Sequence, residues 1–95
     1  MNIIREVLAY GGNLMLTRNT FPKKGTKAST HKHHHEQISY VLSGSFRFIL
    51  DKEERILNVG DSLYIPSNIP HSAEALEDNS VVLDVFTPQR EDFLR

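Results

Sequence analysis

HKHHHEQ, His31 to Gln37, holds four of the chain's five histidines in seven residues. If its start is a strand, successive side chains face opposite ways. His31 and His33 then project to one side about 6.6 Å apart along the backbone, near enough for two imidazoles to converge on one ion. Gln37 shares their odd parity, provided that residues 34–36 form a tight connection that keeps the register; Glu36 then points away. The same residues read equally as a solvated polar loop, or as a histidine-rich surface that collects metals adventitiously.

The flanking sequence favours strands. Short runs of Val, Ile, Leu, Phe and Tyr recur between turn residues, without a sustained helical period. Nine strands are expected: Ile3 to Leu8, Asn13 to Asn19, Thr26 to His33, Gln37 to Leu42, Ser45 to Leu50, Arg55 to Val59, Ser62 to Ile65, His71 to Ala75 and Val81 to Phe86. Gly11-Gly12, Pro22 to Gly25, Ser43-Gly44, Asp51 to Glu53, Gly60-Asp61, Pro66 to Asn68 and Glu77 to Asn79 supply the turn chemistry between them. Such strand spacing points to an all-β sandwich or barrel.

With 95 residues the expectation is one domain over residues 1–95, its last stretch, 86–95, forming a C-terminal tail segment. From Pro88 onward the tail is charged, with Phe93 and Leu94 as its only apolar anchors. Eleven Lys and Arg oppose twelve Asp and Glu, giving a net charge of −1. No basic run breaks that balance, so nucleic acid is not expected as a partner. There is no cysteine, hence no thiolate nucleophile or ligand, and any metal must sit on nitrogen and oxygen donors. The opening MNIIREVLAY is interrupted by Arg5 and Glu6 and lacks a signal-type apolar run. No other run is long enough to span a membrane, and the expected location is the cytoplasm.

A second feature lies in SVVLDVFTP, where Asp84 interrupts an apolar strand. A lone carboxylate buried there without a partner costs several kcal/mol, on the order of 2–7 for an unpaired polar group. If Asp84 faces inward, Val82 and Phe86 do too. Beside an ion and an apolar wall its pKa can be moved either way, as a general acid or base requires. Alternatively, Asp84 caps a loop or pairs with Arg47 or Arg55. Arg90, four residues beyond Phe86, is either a solvated tail residue or a carboxylate clamp.

Spacing adds a resemblance. Gly25, five residues, His31, one residue, His33, three residues, Gln37, six residues and Gly44 resembles the first cupin motif, with Gln where that motif usually has Glu. Gly60, five residues, Pro66, four residues and His71 resembles the second, with Asn68 replacing its inner glycine and Ala75 its terminal asparagine. The resemblance implies a small antiparallel jelly-roll β-barrel, the double-stranded β-helix. It also implies one divalent ion, Zn, Ni, Mn or Fe(II), held by His31, His33, Gln37 and His71. His34 and His35 are not carried over. A single barrel leaves strand edges to cover, and a two-fold homodimer is the usual solution.

A neutral amide in place of a carboxylate leaves the ion its full charge. Binding weakens, Lewis acidity toward an anionic or hydroxyl-bearing ligand rises, and higher oxidation states are disfavoured. From Gly12 onward HxHxHEQISYVLSG, GDSLYIPSNIPH and LDVFTPxREDFL together resemble the pectin-degradation cupins of the KdgF type. That resemblance implies an isomerase-type enzyme converting 4,5-unsaturated uronate monosaccharides into linear keto-sugar acids. Asp84 would handle protons, Phe86 shape the pocket and Arg90 grip the carboxylate. Two other readings remain: a metal cupin with different chemistry (a dioxygenase or another sugar isomerase), and a cupin that only binds a small ligand. The fold cannot choose among them.

Overall fold

The computed structural model describes residues 2–95 and contains nine strands: β1 (Ile4–Gly11), β2 (Leu14–Phe21), β3 (Lys27–His31), β4 (Glu36–Ser43), β5 (Ser45–Leu50), β6 (Glu53–Asn58), β7 (Ser62–Ile65), β8 (His71–Ala75) and β9 (Ser80–Thr87). A single 3₁₀ turn, Glu91–Phe93, follows β9. The strands form two sheets, β1-β2-β9-β4-β7 and β3-β8-β5-β6, and every recorded pairing is antiparallel. The neighbours are mostly distant in sequence, with β9 between β2 and β4 and β8 between β3 and β5, which is the jelly-roll pattern.

The core fills the space between the sheets. Alternation on β2 and β4 sends Met15, Thr17, Asn19 and Phe21, then Gln37, Ser39 and Val41, inward. Phe46 and Phe48 on β5 meet them from the other sheet with Leu57, Ala73 and Ala75, and Phe21 meets Phe46 edge-on at 5.0 Å between centroids. Ala75, which stands where the second motif usually carries asparagine, is fully buried here, its backbone N–H donating to the Thr26 carbonyl.

Two motif positions have steric reasons. Gly44 turns the chain from β4 into β5 with φ +72°, and a Cβ there would come within 2.9 Å of the Ser80 Cα. Asn68 takes the inner glycine's place with φ +61°, a conformation that asparagine tolerates. Its backbone N–H donates to the His33 carbonyl at 2.8 Å, and the Ser67 hydroxyl donates to the His34 carbonyl at 2.6 Å. The β7–β8 loop thereby clamps the histidine segment.

One strand is shorter than expected. β3 stops at His31 rather than His33, because its partner β8 begins at His71, directly opposite His31. The residue before His71 is Pro70, which has no N–H to continue the ladder. At the other end of the chain β9 runs through Thr87, so Phe86 belongs to a strand and the segment beyond it starts at Pro88. Phe93 packs edge-on against Phe86 at 5.8 Å, while Leu94 stays exposed.

Candidate metal centre and its pocket

His31 and His71 are cross-strand partners on β3 and β8, with ring centroids 4.4 Å apart. His33 reaches them from the loop instead of by strand alternation: its ring lies 5.6 Å from His31 and 4.9 Å from His71. The three bring their ligand atoms within 4.8 Å of one another, a group that can hold a metal ion. His34 and His35 lie outside it. His34 is exposed, whereas His35 is buried against the rings of His33 and Phe86.

All three rings are oriented by the same device. Nδ1 of His31 approaches the Ser29 carbonyl at 2.8 Å, Nδ1 of His33 the His35 carbonyl at 2.9 Å, and Nδ1 of His71 the Ile69 carbonyl at 2.9 Å. A carbonyl only accepts, so each Nδ1 carries the proton and each Nε2 is left with a lone pair. Nε2 of His71 is buried and has no hydrogen-bond partner. Such an orphaned acceptor is costly unless something electrophilic meets it, and an N-donor set of this kind suits a divalent transition ion.

Burial also favours the neutral form of two of the rings, His71 and His33. It pulls the His71 imidazole down to about 4, the cations that His31 and His33 would become adding to the effect. His33 is lowered first by burial and then by the Arg90 charge.

Gln37, the second residue of β4, is 6 % exposed and points inward, whereas Glu36 points out and accepts from the Tyr64 hydroxyl at 2.6 Å. The Gln37 amide is held by its far end: Nε2 donates to Ser39 Oγ at 2.9 Å, and Ser39 donates in turn to Asp84 Oδ1 at 2.6 Å. This sets Oε1 toward Nε2 of His33, 3.1 Å away. The other carboxylate oxygen of Asp84 accepts from Asn19 Nδ2 at 2.9 Å, and Asn19 also donates to Thr17. A chain of hydrogen bonds therefore crosses the inner face of the larger sheet from Gln37, beside the histidine cluster, through Asp84 to β2.

Asp84 does not pair with Arg47 or Arg55. Arg47 bridges to Glu54 and Glu74, and Arg55 to Glu53. Burial pushes the Asp84 carboxyl up to about 6, against the opposing pull of the Ser39 and Gln37 hydrogen bonds and of the Arg5 and Arg90 charges. It lines one cavity with His31, Gln37, His71, Phe86 and Arg90, and its partial exposure is to that space. Phe86 is 3 % exposed and forms a wall, 5.9 Å from His33. The Arg90 guanidinium lies 4.3 Å from the centroid of Phe93 and donates two hydrogen bonds to Asp92, at 3.2 and 3.1 Å.

The expected site residues thus converge in one place. Four others share the site: Ser39 and Asn19, which position Asp84, and Arg5 and Phe93, which line the cavity. Ser39 had a signal in the sequence, two residues from Gln37 and of the same parity. Arg5 had none, since its inward placement depends on how β1 pairs with β2.

Residues 18–86 match the family of the cupin domain. The chain belongs to the cupin family. It is 40 % identical over 93 residues to the pectin degradation protein KdgF of Dickeya dadantii, an alignment covering 97 % of this chain and 84 % of that protein. The structure of KdgF from Halomonas sp. superposes with a TM-score of 0.92 at 38 % identity, covering 96 % of this chain and 84 % of that one. An RmlC-like cupin from Shewanella frigidimarina superposes with a TM-score of 0.87 at 35 % identity, covering 94 % and 78 %. The resemblance of this cupin to the KdgF type therefore holds in sequence and in fold. Among its described residues, no helix is long and apolar enough to cross a membrane.

Proposed function

We propose that this cupin binds one divalent ion through His31, His33, Gln37 and His71 and converts 4,5-unsaturated uronate monosaccharides into linear keto-sugar acids. The observation that carries the reading is the hydrogen-bonded chain from Gln37 through Ser39 to Asp84. It holds the Asp84 carboxylate beside three histidines that can hold a metal ion, in a cavity walled by Phe86, which supports a proton-handling role for Asp84. Near-full-length likeness to a protein named for pectin degradation, and to the structure of a second KdgF, supports the substrate class.

When bound, the ion supplies a Lewis acid that polarises hydroxyl oxygens of the sugar. The chain's own residues do the rest. Asp84, ionised near neutral pH and held on both oxygens, accepts the proton of the anomeric hydroxyl as the C1–ring-oxygen bond breaks and the C1 carbonyl forms. The proton returned at C4 turns the released enol into the ketone, so the product is an isomer of the substrate. Ser39 and Asn19 fix the carboxylate's orientation. Phe86 excludes water from one side, and Arg90 brings positive charge to the substrate carboxylate. The cavity is small, about 70 Å³, so it encloses the reacting end of a sugar acid while the remainder extends toward the exposed Arg5.

The test is product identity. Lyase-generated unsaturated uronate incubated with the metal-loaded protein should yield the open-chain keto acid in NMR spectra, without oxygen uptake. Recovery of the uronate unchanged returns the reading to a ligand-binding cupin, and oxygen consumption points to a dioxygenase.

We also propose that the protein works in the cytoplasm as a homodimer joined through the outer face of the larger sheet. Among the described residues, nine of the twelve large exposed hydrophobic residues lie on that sheet's strands. Tyr64, Ile38, Val85 and Leu16 form one continuous row across β7, β4, β9 and β2. An apolar sheet face of this extent marks an interaction site, and a second copy offers the same row in self-complementary form.

A further inference from the structure

The larger sheet extends the polar row beyond Asn19. Arg5 on β1 stands directly opposite Asn19 and lines the same cavity as Asp84, although β1 is otherwise an exposed edge strand. Its guanidinium carbon lies 3.8 Å from the Phe93 ring centroid, and that of Arg90 lies 4.3 Å from the same centroid. Two cations therefore share one aromatic ring at the cavity mouth.

They differ in what they bind. Arg90 is engaged by Asp92 through two hydrogen bonds, whereas among the described residues none pairs with the Arg5 guanidinium through a hydrogen bond or an ion pair. Partial burial of the guanidinium and then the Arg90 charge act against the Arg5 cation, and the Asp92 and Asp84 charges offset them in part. A free planar fork of five donors, preset by ring stacking and facing a second positive charge, matches a carboxylate bidentately and gains from its charge.

We propose that Arg5 is the carboxylate-binding residue of this pocket, taking the uronate carboxylate in its unoccupied fork while Arg90, already held by Asp92, adds charge from the side. The proposal rests on the uronate reading above, and it makes Arg5 a specificity-determining residue contributed by the first strand. It distinguishes acidic sugars from neutral ones of the same shape. The proton chemistry stays with Asp84, so loss of Arg5 falls on KM more than on kcat.

The experiment uses zinc-loaded protein and three probes, D-galacturonate, its neutral methyl ester and D-galactose, with binding followed by calorimetry. Wild type is expected to prefer galacturonate over the ester by at least about tenfold, as for a charge-assisted pair. Arg5→Gln should abolish that preference while zinc affinity, ester binding and thermal midpoint hold, and Arg5→Lys should restore part of it. With the unsaturated uronate, Arg5→Gln should raise KM with kcat little changed. The same preference in Arg5→Gln as in wild type overturns the role of Arg5 and leaves the uronate reading intact. No preference for the acid in wild type overturns the uronate reading and the assignment with it.

Discussion

Oε1 of Gln37 stands 3.1 Å from Nε2 of His33, and in the neutral ring neither atom has a proton for the other, because Nδ1 of His33 already faces the His35 carbonyl. Two lone pairs held this close repel each other, and a cation reconciles them. Gln37→Glu adds a formal charge at the same place. It should bind Zn at least about tenfold more tightly in chelator competition, as expected for an added charge near an ion. Turnover should fall, because the more neutralised ion polarises a substrate hydroxyl less. His31→Ala should lose the metal.

Asp84 should separate from the ligands in a mutational series. Asp84→Ala is expected to keep its metal content, measured by atomic emission, yet lose roughly 10²- to 10⁴-fold in kcat, the usual contribution of a positioned acid or base. Full activity in this variant would remove Asp84 from the proton chemistry.

Without metal, Asp84 should also leave a mark on stability. Its carboxyl is near 6 in the fold against 3.8 as the reference value. The raised value makes the contribution complete below pH 4, and lost as pH rises through 6. His71, near 4 in place of 6.5, gives the opposite slope, stability being lost as pH falls from 6.5 through 4. The two nearly cancel in wild type between pH 4 and 6. The difference in thermal midpoint between Asp84→Asn and wild type should therefore grow from pH 4 to pH 6.5 and level off above. Roughly 2 to 3 kcal/mol separates the extremes, from the size of the shift. A difference independent of pH would contradict the burial of an ionisable Asp84.

The outer sheet face offers a separate test. Ile38 pairs with Tyr64 on one side and Val85 on the other, so Ile38→Lys sets a charge in the middle of the apolar row. Light scattering on a sizing column should give a dimer mass for wild type and a monomer mass for the variant. A monomeric wild type would end the dimer proposal.

Much of this was legible from parity and spacing. β5, β7 and β8 begin and end where turn residues and apolar runs predict, because Gly, Asn and Asp at the corners leave little choice. Gln37, Asp84 and Phe86 face inward as alternation requires. The route of His33 was not legible. It depends on Pro70 ending the partner strand, a fact about β8 rather than about the histidine run. Arg5 was hidden for a similar reason: a charge in an edge strand reads as solvated until the β1–β2 register sets it opposite Asn19. Ser39 and Asn19 looked like ordinary strand residues, since a hydroxyl or amide reveals its role only when the carboxylate it holds is known.

The central claim joins the histidine cluster to Asp84 in one reaction. Its most direct test follows the alkene absorbance of lyase-generated unsaturated uronate with purified protein, before and after a chelator and after re-addition of Zn. The expected result is a loss of absorbance that the protein accelerates, that the chelator abolishes and that metal restores. Absorbance that decays at the same rate with and without the chelator would contradict it.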